Sequence, residues 1–276
     1  MNLWESIVLG IIQGLTEFLP VSSSGHLVIA QSFLPGFQQE GVLFDVMVHC
    51  GTMLAVIFFL RTTIYSLAAS LLPAAWRSNR NIEGNPAASP SVERRMVGLI
   101  IVATTITGII GILLKDHIHR LFESAETAAG MLIVTGILLY VADRIKGVGR
   151  TAGDMTITDA LVIGLAQAVA LMPGISRSGS TIAFGIYRKI DGDTAARFSF
   201  LLSIPAVLGA TMLELEYVQF VSPDELFIYG VGMIAAAITG FLSLRLLFFI
   251  IRKRELKYFS YYCWVVAATT LLIRGL

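Results

Sequence analysis

Two short polar segments interrupt apolar stretches of this chain, and the first reads QGLTEFLPVSSSGH from Gln13 to His26. Gln13 and Glu17 are four residues apart, so they share one face if the segment is helical. A neutral, hydrogen-bonded Glu17 and a purely structural His26 are the alternative interpretations of its two ionisable groups. The side chains able to act as acid, base, nucleophile or ligand are Gln13, Glu17, Ser22, Ser23, Ser24 and His26.

The second polar segment reads PGISRSGST from Pro173 to Thr181 and adds a guanidinium group to several hydroxyls. Short helices are expected after Gly25 and after Gly179, and their starts are supplied by serines. Free backbone N–H groups at such helix starts favour an anion, and the fork of Arg177 suits two phosphate oxygens at once. The two segments therefore predict a phosphate site. The residues expected to bind the phosphate are Ser22, Ser24, Ser176, Arg177, Ser178 and Thr181.

Glu17 would repel a bound phosphate unless a divalent cation lies between them. Mg²⁺ commonly joins one or two carboxylates to substrate phosphates, so the sequence predicts dependence on a divalent cation, Mg²⁺ or Ca²⁺. The alternative is that Arg177 pairs with Glu17 and only locks the two segments together. Both interpretations bring the two segments into contact.

Ser23 and His26 are three residues apart, and three chemical routes follow from that spacing. His26 can take the proton from Ser23 as the serine attacks phosphorus, act as the nucleophile itself, or serve as base for a metal-bound water. The sequence does not separate these routes. The expected catalytic residues are Glu17, Ser23, His26 and Arg177.

The chain that must position these segments has the composition of a membrane protein, with 55% hydrophobic and 14% charged residues. Soluble domains carry about 25% charged residues. Lys and Arg occur in small groups between apolar runs, which argues against nucleic-acid binding. Runs long enough to cross ~30 Å of hydrocarbon lie near residues 43–60, 96–114, 127–142, 198–215, 226–248 and 258–273.

Two further pairs of apolar runs are too short to span, at residues 6–19 with 25–34 and 159–172 with 178–187. Pieces of 10 to 14 residues suit re-entrant segments, and each polar segment lies at the break of one pair. The sequence thus predicts an all-α integral membrane protein with six transmembrane helices and two re-entrant helix pairs. Ionisable groups at such depth are costly and are candidates for function.

Loop charges predict the orientation of the chain. Cytoplasmic loops hold the excess of Lys and Arg, and the basic loops are 61–95, 143–158, 188–197 and 249–257. The loop at 214–225 is acidic and is expected outside. The first re-entrant pair then enters from the outer side and the second from the cytoplasmic side.

The two halves of the chain match at an offset of 154 residues, which aligns Gln13 with Gln167 and Phe44 with Phe198. Each half holds one re-entrant pair and three spans, and an odd number of spans inverts the second copy. The prediction is a single membrane domain, residues 1–276, with an inverted-topology repeat of about 1–150 and 151–276. The two polar segments would meet near the midplane, where irregular backbone lines a cavity.

The two segments, together with FDVMVHCGTMLAV and RFSFLLSIPAVLGA, resemble the bacterial undecaprenyl-diphosphate phosphatases of the bacitracin-resistance type. The resemblance implies removal of the terminal phosphate from a C55 isoprenyl diphosphate, which returns the carrier lipid to peptidoglycan synthesis. It also implies a divalent cation, an inner-membrane location and a site that opens to the outer, periplasmic face.

Position by position, the resemblance maps Glu17 and Gln13 onto the family's paired acidic or amide positions, the expected metal ligands. Ser23 and His26 map onto its catalytic serine and histidine, and Arg177 onto its arginine. Gln13 stands where some members have Glu, so it would coordinate through its amide oxygen.

The alternative function is a lipid flippase or secondary transporter that uses the same midplane site, since many carriers combine inverted repeats with broken helices. The expected partners are an isoprenyl diphosphate and the membrane lipids, with a homodimer left open. The Asp45 and His49 side chains, one turn apart, are either a support for the site or a mutually satisfied structural pair.

Overall fold

A computed structural model describes residues 1–32, 41–73, 89–114, 121, 124–147, 149–214 and 222–274. Much of the basic loop at 61–95 and of the acidic loop at 214–225 lies outside these residues. The described part of the chain is helical, with a single 3₁₀ turn at Ala152–Asp154. Its helices are α1 (Leu3–Phe18), α2 (Ser23–Ser32), α3 (Gly41–Phe59), α4 (Arg61–Leu71), α5 (Pro90–Leu113), α6 (Ala125–Asp143), α7 (Ile157–Val169), α8 (Arg177–Tyr187), α9 (Gly192–Glu214), α10 (Pro223–Lys253) and α11 (Lys257–Arg274).

Side-chain caps explain where many helices begin. Asn2 forms a capping box with Glu5 at the start of α1, and Thr156 forms one with Asp159 at the start of α7. Ser176 caps α8 through the backbone N–H of Gly179. Such caps satisfy backbone donors that the first helical turn leaves free, so the polar residues between apolar runs fix the breaks.

Four described helices are long and apolar enough to cross a membrane: Pro90–Leu113, Ala125–Asp143, Pro223–Lys253 and, in α9, Gly192–Met212. A fifth span results if Leu43–Phe59 and Arg61–Leu71, bent by 76°, are counted as one. The chain is therefore an all-helical membrane protein. The expected sixth span coincides with α11, whose tyrosines and terminal charges reduce its apolarity, so the count of six stays a prediction.

The two expected re-entrant pairs correspond to α1 with α2 and α7 with α8, all shorter than a full span. Helix α1 packs along α10, and α7 packs along α5. At both contacts the backbones touch: a Cβ added to Gly10 would overlap the carbonyl oxygen of Gly232, and one added to Gly164 would lie 2.8 Å from that of Ala103. Small residues allow such close approach between membrane helices.

A cluster of arginines holds the start of α7 to the turn after α8. Asp159 is fully buried and accepts hydrogen bonds from Arg150, at 2.6 and 3.1 Å, and from Arg188, at 2.7 Å. Burial alone would raise the pKa of Asp159, but the hydrogen bonds from the two arginines outweigh it and hold the pKa below its ordinary value. Asp159 is therefore ionised, and its ion pairs fix the start of α7, whereas the second polar segment follows the other end of this helix.

Candidate functional site between the two tips

Each re-entrant pair turns through a short irregular segment, which we call a tip together with the helix ends beside it: residues 17–25 form the first tip and residues 170–179 the second. Both contain a left-handed residue, Ser22 with φ 68° in the first and Gly174 with φ 90° in the second. The left-handed backbone is unusual for a serine and reverses the chain within a few residues.

The two tips resemble each other in their hydrogen bonds. Ser22 Oγ accepts from the Gly25 backbone N–H at 3.3 Å and lies 3.3 Å from Ser24 Oγ. Ser176 Oγ accepts from the Gly179 N–H at 3.0 Å and lies 3.2 Å from Ser178 Oγ. Both short helices thus begin with serine caps, as the sequence predicted, and direct their starts toward the space between the tips.

The tips touch each other directly. A Cβ added to Gly25 would lie 2.9 Å from Gly174 Cα, and one added to Gly179 would lie 3.2 Å from Pro20 Cβ. Ser178 Oγ also donates to the carbonyl oxygen of Leu19 at 3.3 Å. The predicted contact between the two polar segments is therefore present. A side chain at Gly25 would separate them, whereas one at Gly179 would require a shift of a few tenths of an ångström.

Glu17 is the centre of the polar cluster and is only 6% exposed. Its Oε1 forms an ion pair with Arg177 of the second tip's helix. Its Oε2 accepts hydrogen bonds from Ser23 Oγ at 2.6 Å and from Gln13 Nε2 at 2.9 Å. The carboxylate thus joins the two halves of the chain and also contacts a serine hydroxyl.

Two buried polar atoms at this cluster have no hydrogen-bond partner among the described residues: the Oε1 atom of Gln13 and the Nη1 atom of Arg177. Buried polar groups are nearly always paired, so these atoms leave one acceptor and one donor available for a ligand. The acceptor suits a cation, and the donor suits a phosphate oxygen.

His49 on α3 completes the cluster, although the sequence left its role open. Its Nδ1 lies 3.1 Å from Gln13 Nε2 and 3.9 Å from Glu17 Oε2. The i, i+4 spacing of Asp45 and His49 was the only signal in the sequence. That spacing could not reveal which helix α3 faces, so the contact with Gln13 was missed.

His26 lies behind the first tip and does not pair with Ser23. Its Nδ1 is 2.8 Å from the Ser22 carbonyl oxygen, and its Nε2 is 2.9 Å from the Tyr262 hydroxyl. The two rings stack with centroids 5.5 Å apart. Because the Ser23 hydroxyl donates to Glu17, the predicted proton transfer from Ser23 to His26 has no support in this geometry.

A small pocket, whose free space of about 240 Å³ includes open solvent at its mouth, lies between the tips. Of the residues expected to bind phosphate, Ser178 and Thr181 do not line it. Thr181 is buried and bonds to the Arg177 carbonyl at 2.8 Å and to Ser199 Oγ at 2.6 Å, so it supports the helix start. The pocket is lined by Glu17, Ser22, Ser23, Ser24, Ala170, Ile175, Ser176 and Arg177.

The donor set is compatible with a divalent cation shared with a substrate. The described residues contain no group of three or more His, Cys, Asp or Glu side chains that could hold a metal ion. Of the two expected metal ligands, only Glu17 lines the pocket, and the Gln13 Oε1 atom is buried beside it and unpaired. Mg²⁺ typically takes its other ligands from water and substrate phosphates. The residues therefore fit a cation that binds together with a phosphorylated ligand.

Comparison with known proteins gives matches over nearly the whole chain. Residues 6–269 match the family described as bacitracin resistance protein BacA. The chain is similar to the undecaprenyl-diphosphatase of Syntrophotalea carbinolica, with 45% identity over 96% of this chain and 97% of the relative. It is also similar to the undecaprenyl-diphosphatases of Halothermothrix orenii, with 38% identity over 100% of both chains, and of Methanobrevibacter smithii, with 38% over 96% and 95%.

Proposed function

The chain belongs to the family of the bacitracin resistance protein BacA, and from this premise we propose that it is an undecaprenyl-diphosphatase whose catalytic site is the pocket between the two tips. It hydrolyses undecaprenyl diphosphate to undecaprenyl phosphate and inorganic phosphate, which returns the carrier lipid to peptidoglycan synthesis. The observation that carries the choice of site is the Glu17 carboxylate, bonded to Ser23 of one tip and Arg177 of the other. The comparisons give the transporter alternative no support.

In this proposal the terminal phosphate of the substrate lies between the two serine-capped helix starts. Their backbone N–H groups and dipoles favour its negative charge. The Nη2 atom of Arg177 stays paired with Glu17, and the unpaired Nη1 atom donates to a phosphate oxygen. The arginine thus holds the phosphate and orients the carboxylate at once.

Ser23 is the nucleophile and Glu17 its general base. Its Oγ forms a bond to the terminal phosphorus while the bond from that phosphorus to the bridging oxygen breaks, so undecaprenyl phosphate leaves. Glu17, which accepts the serine hydrogen bond at 2.6 Å, takes the proton. Water then displaces the serine oxygen from phosphorus, Glu17 returns its proton to Ser23, and inorganic phosphate is released.

Glu17 and the Gln13 amide oxygen would hold a divalent cation, Mg²⁺ or Ca²⁺, together with phosphate oxygens. When bound, such a cation would neutralise phosphate charge and reduce its repulsion by Glu17. His26 acts as a positioning residue, because it holds the Ser22 carbonyl oxygen and so the turn that presents Ser23.

We further propose six spans and an inverted-topology repeat, and the packing supports this arrangement. Helix α1 of the first half packs on α10 of the second half, and its repeat counterpart α7 of the second half packs on α5 of the first half. Each re-entrant helix thus contacts the equivalent span of the other half. Contacts between the tips are also reciprocal. Gly25 meets Gly174 and Gly179 meets Pro20, and the offset of 154 residues relates both pairs.

Within the inner membrane, the site would open toward the periplasmic face. The basic ends of α10 and of the turn after α8 support a cytoplasmic position for the opposite end of the molecule. The first tip, which carries Ser23 and Glu17, then enters from outside.

The test is phosphate release by the purified protein in detergent, with C55 or C15 isoprenyl diphosphate and with or without EDTA. Ser23→Ala and Arg177→Lys are expected to lower kcat by a factor of about 100 or more, because they remove the nucleophile and the guanidinium that contacts Glu17 and the phosphate at once. Arg144→Lys is the matched control. An inert wild type across a range of divalent ions would contradict the proposal, since detergent leaves no compartments for transport.

A further inference from the structure

Two exposed arginines stack on a pair of touching phenylalanine rings, and none of the four residues lines the pocket between the tips. The Arg61 guanidinium carbon lies 4.8 Å from the ring centre of Phe58, and that of Arg245 lies 4.9 Å from the ring centre of Phe241. The centres of the two rings are 5.7 Å apart. Because Phe58 is in α3 and Phe241 in α10, the stack brings guanidinium groups from both halves of the chain to one surface.

The position of this surface along the membrane normal follows from the bend between α3 and α4. The chain turns by 76° at Arg61, where an apolar crossing helix gives way to a helix that begins RTTIYS. Such a turn is expected where a helix leaves the hydrocarbon and runs along the interface. Since Phe58 and Phe241 touch, Arg245 lies at the same level.

The length of α10 agrees with that level. Its 31 residues extend for about 46 Å at ~1.5 Å per residue, which exceeds the ~30 Å of hydrocarbon. Arg245 is roughly 12 Å before Lys253, the last residue of the helix, by the same rise per residue. The sequence that follows, Arg252 to Arg254, is basic, so the stack lies near the basic end of the molecule.

Neither arginine has an acidic partner among the residues that the structure describes. Arg61 donates one hydrogen bond, from Nη1 to the Phe58 carbonyl oxygen at 3.0 Å. In contrast, Arg197 and Arg252 both pair with Asp193 nearby. A guanidinium at the edge of the hydrocarbon is costly without an anion, and stacking its face on a ring leaves its N–H edge free to donate.

We propose that Arg61 and Arg245 bind the phosphate headgroup of an anionic phospholipid in the leaflet that faces the basic loops. The charge of the two guanidinium groups complements the phosphate, and each planar fork can donate two hydrogen bonds to its oxygens. The exposed apolar residues beside them, Leu242 and Leu246, would contact the acyl chains. This is a lipid site of the cytoplasmic leaflet, separate from the catalytic pocket.

The experiment is native mass spectrometry of the purified full chain, titrated with phosphatidylglycerol or with phosphatidylcholine. Each basic residue near an anionic lipid surface contributes roughly a fivefold factor in affinity, so Arg61→Gln with Arg245→Gln is expected to weaken phosphatidylglycerol binding roughly thirtyfold. Phosphatidylcholine binding is expected to stay unchanged. Addition of inorganic phosphate is expected not to displace the lipid.

Arg144→Gln is the matched control, because Arg144 also stacks on an aromatic ring, with its guanidinium carbon 4.1 Å from the ring centre of Tyr140. Equal weakening by the control, or unchanged phosphatidylglycerol binding in the double variant, overturns the proposal. If the double variant is unstable, the single variants carry the test, and each is expected to weaken phosphatidylglycerol binding roughly fivefold. Phosphate release is measured alongside, and its retention in the variants separates the lipid site from the catalytic site.

Discussion

The Nδ1 atom of His49 lies 3.1 Å from the Nε2 atom of Gln13, at the contact between α3 and α1. The same Gln13 nitrogen lies 2.9 Å from Glu17 Oε2. An amide nitrogen has two hydrogens, and both are used when His49 is the neutral tautomer whose Nδ1 accepts. In that tautomer the Gln13 amide nitrogen is held between His49 and Glu17, and its Oε1 stays available for a cation.

His49→Ala is expected to raise the divalent-cation concentration for half-maximal phosphate release by about tenfold or more, the usual effect of losing a group that orients a ligand. The reason is that Gln13 loses one of its two acceptors and can rotate. Direct Mn²⁺ binding to the purified protein measures the same effect without turnover.

The control for His49 is a double-mutant cycle with Gln13→Glu. A carboxylate has no amide to orient, so His49→Ala is expected to change cation affinity much less in that background. An equal effect of His49→Ala in both backgrounds would show that His49 acts by another route.

Tyr262→Phe tests whether His26 positions the first tip or reacts itself. The variant removes the hydroxyl 2.9 Å from His26 Nε2 but keeps the stacked ring. If His26 only supports the turn, kcat falls by less than about tenfold, the size of one lost neutral hydrogen bond. Rapid-quench mass spectrometry should detect phosphate on Ser23, whereas phosphate on His26 would assign the nucleophile differently.

Gly10→Ala tests the close contact between α1 and α10. The added methyl group would overlap the Gly232 carbonyl oxygen, and overpacking of this kind costs about 1–3 kcal/mol. The apparent melting temperature in detergent is expected to fall. Gly108→Ala is the control, because no atom of another described helix lies within 4 Å of its added Cβ. Alanine stabilises a helix by up to about 1 kcal/mol relative to glycine, so Gly108→Ala is not expected to lower the melting temperature. An equal fall in the melting temperature of both variants would contradict the close contact as its cause.

Asp159→Asn tests the ion cluster at the start of α7. Loss of one member of a fully buried ion pair costs about 3–5 kcal/mol, and the expected cost here is smaller, because the Arg150 and Arg188 side chains are 29% and 38% exposed and water screens their remaining charge. The folded-state pKa of Asp159 lies below its ordinary value, so its contribution to stability is complete above about pH 4 and declines as the pH falls further. The melting temperatures of the wild type and the variant are measured between roughly pH 3 and pH 7, a range that includes the titration of Asp. The two melting temperatures should converge as the pH falls. A constant difference would assign the effect to packing.

The sequence alone determined which parts of the chain are apolar, where they break and which chemical groups lie at the breaks. Its serines marked the start of α8 to within a few residues, since the helix begins at Arg177 rather than after Gly179, and the lengths of the apolar runs separated short helices from spans. These features are local, because hydropathy, capping and turn residues act within a few positions of each other. The meeting of the two polar segments also followed, since polar groups at that depth need a shared cavity.

The tertiary structure decided which polar groups touch. Ser23 is three residues from His26 along the chain, yet its hydroxyl donates to Glu17 at the end of α1, whereas the His26 ring contacts the Ser22 carbonyl oxygen and the Tyr262 hydroxyl. His49 reaches Gln13 only because α3 and α1 pack with those faces together. Such pairings depend on the rotation of each helix about its axis, and in a helix that is apolar on nearly all sides the sequence contains little information about that rotation.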